Sequence, residues 1–299
     1  MMSVQERLSV ARPPALAPCR GAEANRPPTA LILGTGDIAS AIGRGLFLRG
    51  WRVVLLRDNG VPVLRRGMAF DDAMEDGVAV LDGVIAVPAA APGALPALLS
   101  ARPGVVVANL DPAVLAASGI DRPDALVDAR MRKYAMPADL RPLAGCAIGV
   151  GPGFVAGGNV HIAIETLPGQ EGGVVTRGST AVPTGQAVPL GGAGAERFVY
   201  APIAGVWQPE VPLGAWIEPG TLVGRLGPRR LPAPIGGCIR GMVRAAPGGV
   251  ARGSKLMEID PRPEATCTGV PPRAQRIAAG VEAALAAQRT INVAMAAAG

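Results

Sequence analysis

Hydrophobic positions along the chain change their period several times. The apolar run Ala30-Leu31-Ile32-Leu33 is short and continuous, as expected of a strand buried on both faces. It runs straight into Gly34-Thr35-Gly36-Asp37-Ile38-Ala39-Ser40, after which Ile42, Leu46 and Phe47 mark a helix that Gly50 stops. Trp51 to Leu56 reads as a second strand. Strand, glycine loop, helix and strand in this order predict a parallel sheet. Gly104–Asn109 and Ala125–Asp128 extend it, and both end in polar residues, where parallel strands carry ligands.

After about Ala144 the pattern changes. Cys146–Val150 leads into the glycine-rich Gly151–Gly158, and Asn159–Thr166 then alternates with period two. That spacing puts Val160, Ile162 and Ile164 on one face, with Asn159, His161 and Glu165 on the other. Further on, Ala201-Pro202-Ile203-Ala204-Gly205-Val206 recurs 32 residues later as Ala233-Pro234-Ile235-Gly236-Gly237-Cys238. Glu218–Val223 recurs 33 residues later as Ala251–Leu256. One copy is too short to bury a core, so the two are expected to share one barrel or sandwich. Arg273 to Gln288 reads as an alanine-rich helix with Ile277, Val281 and Leu285 on one face.

Composition narrows the function. The 299 residues carry a net charge of +6 from dispersed arginines, and only 3% are aromatic. Stacking platforms for nucleic acid are therefore not expected, and the charge supports no more than a bias towards anionic partners. The apolar stretch Val78–Leu99 is interrupted by Asp82, Pro88, Pro92 and Pro96, so no membrane span is expected there. Cys19, Cys146, Cys238 and Cys267 form no CxxC pair, which argues against a zinc site and for reduced thiols in a cytoplasmic protein. Residues 1–28, with Arg7, Arg12, Arg20 and Arg26 among prolines, read as a disordered extension and lack the apolar core of a secretory signal.

Several residues are candidates for chemistry. Gly34 permits a tight turn and Gly36 a close approach, so the loop before the first helix is suited to cradling phosphate. Asp37 in the first helical turn suits the helix dipole but repels a phosphate, and a plain strand-to-helix turn is the competing reading. A dinucleotide would place Asp58 on a ribose hydroxyl and Arg57 on a 2′-phosphate. Gly151 and Gly153 belong to a loop able to form an anion nest. That loop feeds His161 and Glu165, the candidate catalytic pair, which four strand residues separate by roughly 13 Å. Asp128, Arg130 and Lys133 make a phosphate-binding cluster or a solvated helix start, and Arg65-Arg66 a phosphate clamp or an interdomain salt bridge. Cys146 reads as core and Cys267 as an unactivated loop thiol. The two glycine loops are expected to meet beside His161 and form a pocket.

The ordered set of motifs resembles the YqeB-like accessory proteins of selenium-dependent molybdenum hydroxylases. The resemblance runs from about Ala30 to Gly280. It is carried by Gly34–Ser40, Arg65-Arg66 with Phe70, Val127–Arg130, Gly149–Phe154 through His161 and Ile164–Thr166, and Gly178–Thr180. It implies an α/β protein with a Rossmann-like N-terminal parallel sheet (29–145), a glycine-loop and His/Glu segment (146–196), a small β-rich biotinyl/lipoyl-like barrel (197–262) and a C-terminal helix (263–299). It implies assistance in maturing a molybdenum hydroxylase client, with molybdenum cofactor of the molybdopterin type, or a nucleotide, as the bound group. The chain departs from the family pattern at Arg57-Asp58 and at Pro168-Gly169-Gln170, which bear on cofactor preference and on any multi-histidine site. The hairpin Leu226–Pro232 has no lysine, so the barrel is expected to be an unmodified docking module. Two other readings stay open: an NAD(P)-binding oxidoreductase, and a non-catalytic interaction protein that docks through the barrel.

Overall fold

A computed structural model of the chain describes residues 26–58, 62–110, 120, 122–132, 134–245 and 248–298. Residues 1–25 of the expected extension, Cys19 and Lys133 lie outside the described residues. The last three residues of that expected extension, 26–28, are described, and two of them are tied to the rest of the fold. The Arg26 guanidinium pairs with Asp124 at 3.1 Å, and the Pro28 carbonyl accepts from Arg52 N–H at 2.8 Å.

The fold is mixed α/β. Strand β1 (Thr29–Leu33) leads through the glycine loop into helix α1 (Asp37–Leu48), and β2 (Arg52–Leu56) returns beside β1. A short α2 (Ala73–Asp76) precedes the hairpin of β3 (Ala79–Leu81) and β4 (Val84–Pro88). Then come α3 (Leu95–Ala101), β5 (Val105–Ala108), β6 (Ala125–Asp128) and β7 (Cys146–Val150). The short β8 (Val155–Ala156), β9 (Ile162–Ile164), β10 (Val174–Val175) and β11 (Gly178–Ser179) follow. Nine of these strands form one sheet in the order β10-β9-β7-β6-β1-β2-β5-β4-β3, parallel except for the two edge strands.

Three differences from the sequence expectation stand out. The hairpin β3–β4 lies inside the interrupted stretch Val78–Leu99: Asp82 (φ 42°) and Gly83 (φ 80°) form its turn, the conformation that an Asp-Gly pair favours. The boundary expected at 145/146 falls inside the large sheet, because β7 pairs in parallel with both β6 and β9. The alternating segment Asn159–Thr166 is a strand over only three residues, Ile162–Ile164, and Glu165 just past its end is buried.

Both faces of the sheet are covered, which is why its strands are apolar without alternation. Ala30, Ile32, Val53, Leu55, Val127 and Ile148 pack beneath α1, while Leu31, Leu33, Val54, Leu56, Val106 and Leu126 pack on the other side with Leu95 and Phe154. The last helix, α4 (Pro272–Ala298), lies beside α1 and buries Ile277, Val281 and Leu285 in the first of these layers.

Between the sheet and α4 the chain builds a second unit. Its strands are β12 (Phe198–Tyr200), β13 (Trp207–Pro209), β14 (Trp216–Ile217), β15 (Leu222–Leu226), β16 (Arg229–Pro232), β17 (Gly237–Met242) and β18 (Lys255–Asp260). They form two antiparallel sheets, β12-β18-β17-β14 and β13-β15-β16, around a core centred on the fully buried Trp207. The repeat explains the pairing. Gly237 of the second copy pairs with Ile217 of the first, and at the equivalent positions Gly205 of the first copy pairs with Val250 of the second. Likewise Gly220 N–H donates to the Ala233 carbonyl, and Gly253 N–H to that of Ala201, both at 2.8–2.9 Å. Each copy thus completes its hydrogen bonding on the other, and the two share a single core.

Helix α4 (Pro272–Ala298) is longer than the expected Arg273–Gln288. Alanine, the residue with the highest helix propensity, is frequent in the stretch beyond Gln288 and favours its continuation. No helix among the described residues is long and apolar enough to cross a membrane.

Candidate functional site

The order of parallel strands reverses between β1 and β6, and at such a crossover the carboxyl ends of neighbouring strands part to leave a crevice. A cleft of about 250 Å³ opens there, bounded by Gly34–Ile38, Asp58, Pro62–Arg65 and Ala129–Met131. Gly34, Gly36, Asp37, Asp58 and Arg130 all line it, and Asp128 sits directly behind at the end of β6, 3% exposed.

The glycines have different reasons to be there. Gly34 has φ 107°, and a side chain at that position would press on the backbone of Ala129 and Arg130 at 3.4 Å. Gly36 has ordinary extended angles (φ −68°, ψ −178°), and the space beside it is open. It is the N-cap of α1, with no side chain capping the helix, so the start of α1 faces the cleft.

Every arginine that lines or borders this cleft through Arg132 is tied to a carboxylate. Arg130 makes a fork to Asp128, with Nε–Oδ1 3.0 Å and Nη2–Oδ2 2.5 Å. That pairing outweighs the cost of partial burial and raises the Arg130 pKa. Arg132 holds Asp58 in the same way at 2.8–3.0 Å. Arg65 reaches Asp37 through Nη1 at 2.8 Å and Glu258 through Nε and Nη2. Burial opposes its charge, but the two carboxylates outweigh this and hold its pKa well above the ordinary value. Arg57 is bound to Asp71 at 2.8 Å and Glu75 at 2.7 Å, outside the cleft lining, while Arg66 is bound to Asp72. Of the two functions open for Arg65-Arg66, the structure places Arg65 in the interdomain salt bridge.

The second glycine loop approaches the cleft at Met131. Gly151 has φ 92°, and a side chain there would press on the Met131 sulfur at 3.0 Å. Met131 itself holds a left-handed backbone (φ 56°), a strained state for such a residue. Gly153 turns towards Ala135 and Pro137, and Gly149 is glycine because the Phe154 ring lies on it. Asn159 braces the loop, accepting from Val155 N–H at 2.8 Å and donating to the Gly153 carbonyl at 3.1 Å.

His161 does not reach this cleft. It lies abreast of Ala147, whose N–H donates to its Nδ1 at 2.9 Å. Strand spacings put it roughly 10 Å back along the sheet from the Ala129 turn and about 10 Å across. Burial, and then the charge of Arg141, push its pKa down. The expected pocket among Gly36, Gly153 and His161 is therefore absent from the described residues, because the imidazole is used inside the β7–β9 register.

Glu165 is also engaged with backbone. Its Oε1 accepts from Thr166 and Leu167 N–H at 2.6 and 2.8 Å, and its Oε2 from Ala181 N–H at 2.7 Å. It lines a second, smaller pocket on the far side of Met131, together with Arg273, which the sequence pattern did not single out. Among the described residues no group of three or more His, Cys, Asp or Glu could hold a metal ion.

No protein-family model matches the chain. It is 33% identical over 259 residues to the uncharacterized protein YqeB of Escherichia coli (strain K12), covering 85% of this chain and 47% of that protein. The chain thus spans about half the length of this relative. The match supports a YqeB-like family for the chain. Among solved structures, the product-bound ectoine utilization protein EutE (DoeB) from Ruegeria pomeroyi is 14% identical, covers 79% of this chain and 86% of its own, and gives a TM-score of 0.26. A succinylglutamatedesuccinylase/aspartoacylase from Rhodobacter sphaeroides is 16% identical, covers 74% and 62%, and gives 0.21. At such scores these likenesses carry no argument.

Proposed function

Starting from a YqeB-like chain with its cleft at the β1/β6 crossover, we propose that the protein is an accessory factor in the maturation of a molybdenum hydroxylase. Its cargo is the molybdenum cofactor or a nucleotide form of it, with a phosphate seated at the start of α1. One observation carries the reading. The first turn of α1 opens into the cleft without a side-chain cap, and its acidic residue, Asp37, is neutralised by Arg65 at 2.8 Å. Helix N–H groups then face an anion without a bare carboxylate beside it. A cleft of about 250 Å³ lies just under the roughly 300–1,000 Å³ of drug-sized ligand sites, so part of a pterin or nucleotide would extend over its rim.

In this reading the N-terminal sheet is Rossmann-like and the second unit a biotinyl/lipoyl-like barrel that docks on the client in the cytoplasm. The turn of the β15–β16 hairpin is Gly227-Pro228, so it offers no lysine for a prosthetic group. The NADP form of the oxidoreductase alternative has less support, because Arg57, its 2′-phosphate partner, is bound to Asp71 and Glu75.

The test combines a deletion strain with pterin analysis of the purified protein. The expected result is a client that is present but inactive in the deletion strain, and a pterin that co-purifies with the wild-type chain. A fully active client without this protein would sink the proposal.

A further inference from the structure

We infer that Arg273 forms an oxyanion subsite in the pocket beyond Met131, taking a phosphate-type group at the far end of the ligand whose other end lies at α1. The identity of that ligand rests on the function proposed above; the subsite rests on the geometry of Arg273.

This pocket, of about 80 Å³, is lined by Met131, Glu165, Thr166, Thr184, Gln186 and Arg273 among others. It has room for a small oxyanion head and not for a ring system. Met131 lines both cavities, so a ligand passing over it touches the two in turn.

Arg273 differs from its neighbours in one decisive respect. Arg65, Arg130 and Arg132 are each held by a carboxylate within 3.0 Å. Among the described residues Arg273 is fastened only to the Thr166 carbonyl, through Nη2 at 2.9 Å, and its Nε is buried without a hydrogen-bond partner. Among the described residues, no carboxylate lies within ion-pair distance of it. Asp37 and Glu171 act on it from further away, as do the cations Arg65 and Arg276, and burial pushes its pKa down. The acid in the pocket wall, Glu165, has both oxygens occupied by backbone N–H groups.

Its position is unusual in a second way. Arg273 stands in the first turn of α4, which contains no acidic residue. A cation there opposes the helix dipole, and together the two concentrate positive potential at the pocket. An oxyanion would meet the Nη end of a planar guanidinium, where no carboxylate competes for the charge-assisted hydrogen bond.

The experiment follows the side-chain Nε–H resonances of the full chain by NMR during titration with inorganic phosphate. The Arg273 resonance is expected to move and saturate, while those of Arg65 and Arg130 move little. Arg273→Gln should weaken phosphate at least tenfold, Arg273→Lys less, and the control Arg276→Gln no more than twofold. An Arg273 resonance that stays still would overturn the subsite in wild-type protein even if a variant fails to fold. So would equal phosphate affinity in Arg273→Gln. Pterin content separates the two proposals. Phosphate binding at Arg273 in a chain that never carries pterin keeps the subsite and removes the proposed cargo. Undiminished pterin in Arg273→Gln does the reverse.

Discussion

The guanidinium of Arg65 lies against the carboxylate of Glu258, with Nε–Oε2 2.7 Å and Nη2–Oε1 3.0 Å across 193 residues of sequence. Arg65 also holds Asp37 at the start of α1, and Glu258 is fully buried in β18. One arginine therefore joins the candidate cleft to the core of the second unit. Met242 N–H donates to the Leu64 carbonyl at 2.7 Å beside it, fixing the same junction through backbone.

Removing Arg65 should uncouple these parts. Breaking a buried pair from one side costs about 3–5 kcal/mol, because the other charge is left behind. Arg197 at 3.3 Å and Arg240 at 3.8 Å remain near Glu258, so Arg65→Met is expected below that range, at about 2–3 kcal/mol. Urea denaturation measures this. A loss below about 1 kcal/mol would show that the pair contributes little to holding the junction.

Acid should weaken the same junction. Burial pushes the Glu258 carboxyl up, but hydrogen bonding and charge from Arg65, with Arg240 and Arg197, bring it below its ordinary value. Asp260 is lowered likewise by Arg262 against its own burial. Acids whose folded pKa lies below the unfolded one stabilise fully above about pH 5, and this is lost as pH falls through 4 and below. Glu282, raised by burial despite Arg49 and Arg44, acts in the opposite direction. Thermal melts from pH 7 to pH 3 should show a falling midpoint, and Glu258→Gln should flatten that slope.

His161 is the single histidine, so its titration can be read without ambiguity. Burial and Arg141 lower its pKa. An NMR titration should therefore place its midpoint below 6.5, with stability from the neutral ring present at pH 7 and lost as pH falls below that window. His161→Ala leaves Ala147 N–H without its acceptor and should cost about 1–3 kcal/mol. Ligand affinity of the cleft should change less than twofold. A tenfold loss in a folded variant would mean that the ring reaches the ligand.

Two glycines in one loop should answer substitution differently. Gly36 has open space and ordinary angles, so Gly36→Leu should fold, lose under about 1 kcal/mol, and block the cleft. Gly34→Ala forces a positive φ on alanine and should cost about 1–3 kcal/mol. Melting temperature and ligand titration on both variants separate a fold requirement from a binding one. Full ligand binding by Gly36→Leu would place the ligand elsewhere.

Helix α4 should depend on one backbone approach. A Cβ at Gly280 would overlap the Gly172 carbonyl oxygen, and one at Gly172 would overlap that of Arg276. Gly280→Ala should cost about 1–3 kcal/mol despite its better helix propensity. Hydrogen exchange along α4 reports the loosening, and unchanged protection would show that the contact yields easily.

Much of this architecture is written in local periodicity. Burial on both faces makes β1 and β7 continuous apolar runs, and Ile277, Val281 and Leu285 recur at the spacing that seats α4. The repeat announces two halves of one core, because a segment that cannot bury its apolar face alone must find a copy. Asp82-Gly83 carried an equally plain turn signal, although its setting among alanines and prolines obscured it. Arg273 left only a faint trace, a cation in a first helical turn where the dipole disfavours one.

Partner choice lies beyond that reach. Nothing in the spacing of residues 65 and 258 says that they meet, or that Arg57 turns to Asp71 instead of the cleft. Gly151 and Gly153 look alike in sequence, yet one supports Met131 at the cleft and the other turns to Pro137. His161 and Glu165 follow a glycine loop as a pair of candidates, and the fold employs both on backbone N–H groups. Local pattern reports how deeply a residue must be buried. Which charge it meets depends on segments from 14 to 193 residues away, and only the closed chain brings them together.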